Sequence, residues 1–300
     1  LRRQRQMCIR DRSSITMTGH LTVGERPVTE PANVAQFWQQ PPWADAKPKY
    51  RLGLSPIPLE NWFTQPITSA VLKHKQQMLN QQYSDVVAVS EDHGGLVAQR
   101  ELSAFLTAAN EFTDPIANMA LSVDDDLCIM QATGEQRLVA GCVCSPSYWS
   151  LQSKIGKPLR QIHRPVISMN GKIGDPIERF INRAPLLQPF ERINWFIHGD
   201  RERLHLSAES NISGTPEQWF LRSERETLCR LSDGFLLFTI NVRFAPLRDI
   251  AQHPEALADL MISLARLDTN EIDYFGGNDK FHRLCDYLST LQTSGRPRSA

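Results

Sequence analysis

Trp219-Phe-Leu-Arg-Ser-Glu-Arg-Glu-Thr-Leu-Cys-Arg-Leu231, Ser232-Asp-Gly234 and Phe235-Leu-Leu-Phe-Thr-Ile-Asn-Val-Arg-Phe244 read together as one long β-hairpin. The three-residue loop carries glycine where a left-handed residue is wanted. In the second strand Leu236, Phe238, Ile240, Val242 and Phe244 share a face that must be buried, because side chains alternate with period two. In the first strand Arg222, Glu224, Glu226 and Arg230 point one way, and Leu221, Ser223, Arg225, Thr227, Cys229 and Leu231 the other. Arg225 is thus the lone charge among small and apolar neighbours. Its guanidinium needs an anionic partner, either a carboxylate of the protein or one of a bound ligand, since an unpaired buried charge is costly.

Working outward, Leu127 to Gln131, a Thr133-Gly134 turn, Leu138 to Cys144, Ile193 to His198, a Gly199-Asp200 turn and Leu204 to Ala208 read as further hairpin strands, giving up to six antiparallel strands. Helical composition marks Ile67 to Tyr83, and an apolar stripe at Leu102, Phe105, Leu106 and Ala109 marks Arg100 to Phe112. Pro254 to Leu267 and Asn278 to Leu291 end the chain as helices. Strands in the middle and helices outside predict an α+β domain, its sheet covered on one face and available for a ligand on the other.

The densest chemistry lies between Gly141 and Val166. There a strand to Cys144 is stopped by Ser145-Pro146-Ser147, and Pro165 biases Arg164 away from helix, leaving His163 at a helix end. Such a histidine is a candidate ligand or acid–base group. On residue chemistry alone the first reading is a partly exposed histidine near a helix C-terminus, favoured there by the dipole.

Composition bounds the alternatives. A chain of 300 residues, 41% hydrophobic and 22% charged, can bury one large core or two modest ones. Residues 1–16 hold five Arg against one Asp, leaving 28 basic and 32 acidic side chains beyond them, which argues against a nucleic-acid surface. Met17 reads as a plausible true start, so residues 1–16 are expected to be a disordered or non-native extension, 17–44 an extended arm, 45–292 the folded domain and 293–300 a disordered tail. No apolar run is long enough for a transmembrane helix. The six cysteines lack Cys-x-x-Cys spacing and suit small buried hydrophobes of a reducing cytoplasm. Zinc or iron–sulfur sites built from them alone are disfavoured, and any cluster is expected on another chain. Gly-rich dinucleotide and phosphate loops, His-Glu-x-x-His and Gly-x-Ser-x-Gly are all absent, which removes the common nucleotide, zinc-protease and esterase readings.

Seven short segments in fixed order then carry a resemblance: Leu121-Ser-Val-Asp-Asp-Asp-Leu-Cys-Ile-Met130, Cys144-Ser-Pro-Ser-Tyr-Trp149, Lys154-Ile-Gly156, Ile162-His-Arg-Pro-Val166, Arg192-Ile-Asn-Trp195, Leu221 to Leu231 and Phe238-Thr-Ile240. Over roughly residues 45–290 the chain resembles the haem-dependent oxidative N-demethylase family, whose members include the large subunit of dimethylamine monooxygenase. The resemblance implies a PAS-type core, a five-stranded antiparallel sheet with flanking helices that binds haem b and its iron. It implies oxidative demethylation of a secondary amine such as dimethylamine to a primary amine and formaldehyde, with O2 and with electrons from NADPH through a separate flavin and iron–sulfur reductase.

For the site, the resemblance implies His163 as axial ligand, with His198 and His205 as rivals that otherwise read as residues of a hairpin rim. Arg225 becomes a propionate or oxygen-side candidate and Lys154 a second propionate candidate. Asp125, Asp126 or Glu224 would accept a dimethylammonium, whereas Asp124 reads as a solvated turn and Trp149 and Trp195 as packing. The pattern leads one to expect Gln-Glu-Asp where Asp124-Asp125-Asp126 stands, Gln in place of Glu226, and Arg-Thr-Tyr in place of Asn241-Val242-Arg243. Those differences bear on which amine is preferred. Rival functions are a non-catalytic haem sensor, which would need an output element, and a haem-free small-molecule binding protein in which Arg225 grips an organic anion.

Overall fold

The computed structural model describes residue 38 and residues 41–165, 167–209 and 211–294. The expected extension 1–16, most of the arm 17–44 and most of the tail 293–300 lie outside the described residues. In chain order the elements are β1 (Ser55–Pro56), α1 (Ser69–Gln81), α2 (Tyr83–Val86), β2 (Val87–Val89), α3 (Gly95–Leu102), α4 (Pro115–Ala120), β3 (Asp126–Gln131), β4 (Leu138–Cys142), α5 (Leu159–Ile162), α6 (Ile167–Arg183), β5 (Phe190–His198), β6 (Phe220–Arg230), β7 (Phe235–Pro246), α7 (Pro254–Leu264), α8 (Thr269–Phe275) and α9 (Gly277–Ser294). The strands form one antiparallel sheet in the order β1-β5-β6-β7-β3-β4-β2.

The sequence hairpin is the sheet's spine. β6 and β7 pair from Phe220↔Pro246 to Arg230↔Leu236, and β5 and β3 add on its two sides. Seven strands stand where the sequence suggested six and the resemblance five. The extra two are short. Val87–Val89 is hidden at the end of a helical stretch, and Ser55–Pro56 has only proline-flanked context, so neither has a period long enough to read.

Two expectations fail. Leu204 to Ala208 is not a strand: β5 takes β6 as its partner, and His205 contributes only a single parallel bridge to Ser147. A nine-residue strand finds a far richer ladder against β6 than against a short polar segment. Arg100 to Phe112 is not a helix either, because α3 begins earlier and ends at Leu102, after which turns carry Leu106 into the core. Tertiary burial of Leu102 and Leu106 produced the stripe without a continuous helix.

One face of the sheet, with Leu127, Ile129, Cys229 and Leu237, packs on α1, α3 and α4. At the far end Trp195, Ile197, Leu221 and Ala245 meet Trp43, α7 and α9. The opposite face is covered only in part. There Cys128, Met130, Leu138, Leu228, Leu236 and Phe238 meet α5 and α6 across a cavity. No helix among the described residues is long and apolar enough to cross a membrane.

Candidate functional site

Directly paired residues of neighbouring antiparallel strands project to the same side, so the ladder itself assembles the cavity wall. Arg192↔Glu226 and Asn194↔Glu224 join β5 to β6, Leu228↔Phe238 and Glu226↔Ile240 join β6 to β7, and Cys128↔Phe238 joins β7 to β3. All of these residues line a cavity of about 540 Å³, within the range of cofactor and small-ligand sites. Across from the sheet stand Tyr148, Trp149, Lys154, Leu159, Ile162 and His163 of the β4–α6 connection, Ile177, Phe180 and Ile181 of α6, and Tyr50, Leu52 and Leu54. The walls are apolar except where these few polar groups converge.

His163 caps α5, with φ −90° and ψ 8° ending the helix. Its backbone N–H bonds back to Leu159 O at 3.1 Å. Desolvation, helped by the positive charges of Arg192 and Lys154, pushes the imidazole down to about 4, so it is neutral at physiological pH. Lys154 lines the same cavity and donates to Ile162 O at 2.7 Å. Burial and the neighbouring Lys157 lower its pKa.

The cavity's carboxylates come from β6. Glu224 accepts from Arg222 Nε at 3.0 Å and from Asn194 Nδ2 at 3.4 Å, and Glu226 pairs with Arg192 Nε at 2.7 Å. Burial raises Glu226 against the opposing pull of Arg192. Lys49, itself buried, donates to Trp195 O and sits 4.1 Å from the ring centroid of Phe196, which lines the cavity.

Of the residues singled out from sequence, His163, Lys154 and Glu224 share this cavity. Arg225, Asp125 and Asp126 are not among its lining residues. Arg225 projects from the opposite face of β6, where Nε meets Glu191 Oε2 at 2.7 Å and the other nitrogens hold Asn61 O at 2.6 Å and Trp62 O at 3.2 Å. The protein supplies the anion that its burial demanded. Asp125 accepts from Thr64 N at 2.7 Å, with its carboxyl raised by desolvation, and Asp126 accepts from Ser145 N at 2.8 Å, 3.8 Å from Lys75 Nζ. Asp124 accepts from Thr68 N at 2.7 Å. The aspartate run therefore fastens the segment before α1 and the β4 exit to β3. His198 and His205 lie together near Tyr148 at the end of β5.

Sequence reasoning missed Arg192, Asn194, Glu226 and Phe238 as site residues. The signal was present, because Arg222, Glu224 and Glu226 share a strand face with the apolar set of β7. In sequence, Arg225 on the other face stands out instead, because a lone charge among apolar neighbours is more conspicuous than a set of charges that neutralise one another.

No curated protein matches the chain. A family model described as haem-dependent oxidative N-demethylase, alpha subunit-like, matches residues 64–284. That match takes in more than two thirds of the sequence, including β2 to β7 and His163; the chain belongs to the haem-dependent oxidative N-demethylase, alpha subunit-like family.

Proposed function

We propose that the chain is a haem-binding oxygenase subunit that oxidatively demethylates a small secondary amine, with dimethylamine as the model substrate. The observation that carries this reading is a cavity with a neutral imidazole on one wall and buried carboxylates on another. These residues fit a haem. His163 offers a nitrogen lone pair without first having to lose a proton. Leu159, Ile162, Phe180, Ile181, Phe238 and Ile240 offer apolar contact to the faces of a macrocycle, and Lys154 and Arg192 offer cations for its carboxylates.

Haem supplies the oxygen-activating chemistry when bound, and the protein supplies position and electrostatics. Glu224 has two acceptor sites committed to Arg222 and Asn194, and a carboxylate has about four. The remaining capacity suits the N–H groups of a dialkylammonium, and the apolar wall suits its methyl groups. The half-enclosed apolar lining keeps bulk water from the reacting centre. We infer that electrons come from NADPH through a separate flavin and iron–sulfur reductase, with the core classed as PAS-type and the protein working in the cytoplasm with O2 as co-substrate.

An absorption spectrum of protein made with haem supply tests this first. A Soret band that shifts on reduction and with carbon monoxide is expected, and His163→Ala should lose the haem or change its spectrum. Haem-replete material that stays colourless ends the reading. Formaldehyde release from dimethylamine should require both O2 and the reductase, and turnover without any electron donor would contradict the scheme.

A further inference from the structure

β5 ends at His198, the chain turns through Gly199 and Asp200, and His205 returns against the 145–149 loop. His205 N donates to Pro146 O at 3.0 Å, and Trp149 N donates to His205 O at 3.1 Å, which fixes the returning backbone. As a result a ring nitrogen of His198, a ring nitrogen of His205 and a carboxylate oxygen of Asp200 lie within 4.8 Å of one another. His205 Nε2 and Asp200 Oδ1 are already 3.1 Å apart. Ligands about 2.0–2.2 Å from one tetrahedral ion stand about 3.3–3.6 Å from each other, so the three groups need draw together by no more than about 1.5 Å to hold one.

A second observation points to a ligand. His198 is wholly buried, and its Nδ1 has no hydrogen-bond partner, while Nε2 lies 3.0 Å from Ser147 Oγ. An imidazole nitrogen left unsatisfied in the interior is costly. With Ser147 Oγ as acceptor of the Nε2 proton, Nδ1 keeps a lone pair that no protein group uses, and a hydrogen bond at one ring nitrogen is how imidazoles that ligate through the other are usually oriented. Tyr148 covers both rings, at 4.8 Å from His198 and 4.6 Å from His205.

We propose that His198, Asp200 and His205 form a binding site for a divalent first-row transition ion of the zinc type. Two imidazoles and one carboxylate leave a fourth position open, a donor set that suits such an ion better than calcium or magnesium, which want a shell of oxygens. The site shares no ligand with the proposed haem site. It ties the end of β5 to the loop that brings Ser147 and Tyr148 to the cavity, so the ion fixes that part of the cavity wall.

The test uses the full chain, stripped of metal and made without haem, with zinc and cobalt(II) as probes. Equilibrium dialysis against micromolar zinc should leave one more bound ion per chain in the wild type than in His205→Ala or Asp200→Asn, with affinity reduced at least tenfold in both variants. Cobalt(II) should give visible ligand-field bands with the wild type that the variants lack. Zinc should also raise the melting temperature of the wild type more than theirs. His163→Ala should bind zinc as the wild type does, which separates this site from the haem reading. Circular dichroism of the metal-free variants checks that they fold, and both altered side chains are partly exposed. Equal zinc uptake by wild type and His205→Ala, or no uptake by the wild type at micromolar zinc, overturns the proposal.

Discussion

At the residue scale, Lys49 shows how the cavity's surroundings set a charge. Burial lowers its pKa to about 7, against the raising pull of Glu224. A lysine whose folded pKa lies below its unfolded value of about 10.4 binds fewer protons folded than unfolded across that interval. Its contribution therefore makes the protein more stable as pH rises from about 7 to 10.4, and below 7 the full cost of the buried charge is present. Lys49→Met should be closest to, or above, wild-type stability at pH 6, and wild type should gain on it as pH rises; urea midpoints that shift in parallel would show that Lys49 does not titrate there. A second residue pair separates cavity from scaffold. Glu224→Gln is expected to raise the KM for dimethylamine at least tenfold, about 1.4 kcal/mol of binding. Asp125→Asn should lower stability and leave KM alone. Arg225→Ala should cost about 1–3 kcal/mol by urea melting, from the loss of charge-assisted bonds to Glu191 and the 61–62 carbonyls, with no change in any haem spectrum. Arg225 also marks what sequence could tell: alternation required an anionic partner for it, and the pairing of β5 with β6 supplied Glu191, with the carbonyls of residues 61 and 62 beside it.

At the element scale, the close approach of α3 to β4 is set by one glycine. A Cβ built on Gly95 would fall against Val139 O and lie 2.8 Å from Ser90 O, both backbone atoms that cannot swing aside. Gly95→Ala should therefore cost about 1–3 kcal/mol, as overpacking does, read from the denaturation midpoint. Leu288→Ala in α9, at a side chain wholly buried against the Trp219 cluster, should cost about 2–5 kcal/mol. The elements legible in sequence are those with clean periods or marked turns: β3 to β7, α1, α7 and α9. Those that were not, α6 above all, mix Gly171, Gly174 and Pro176 into a helix whose apolar residues meet the cavity and α5. Local breakers argue against a helix there, and burial of Ile173, Ile177 and Ile181 outweighs them.

At the scale of the whole molecule, a half-enclosed apolar cavity is a cost to the empty protein and a gain once filled. Haem at about 100 times its Kd should stabilise by about 2.7 kcal/mol. Each kcal/mol moves Tm by about 2–4 °C in a protein of this size, so calorimetry of haem-loaded and haem-free protein should differ by several degrees, and coincident melts would place haem elsewhere. By itself the sequence determined the β6–β7 spine, the α+β class, the helix end at His163 and the family pattern, because alternation, turn chemistry and proline punctuation act over a few residues. Only the tertiary structure decided that β5 pairs with β6, that Arg225 and the aspartates 125 and 126 lie off the cavity wall, and that His163, Lys154 and Glu224 meet across one cavity. Strand partners and charge partners are chosen by contacts between segments far apart in the chain, and no local period encodes that choice.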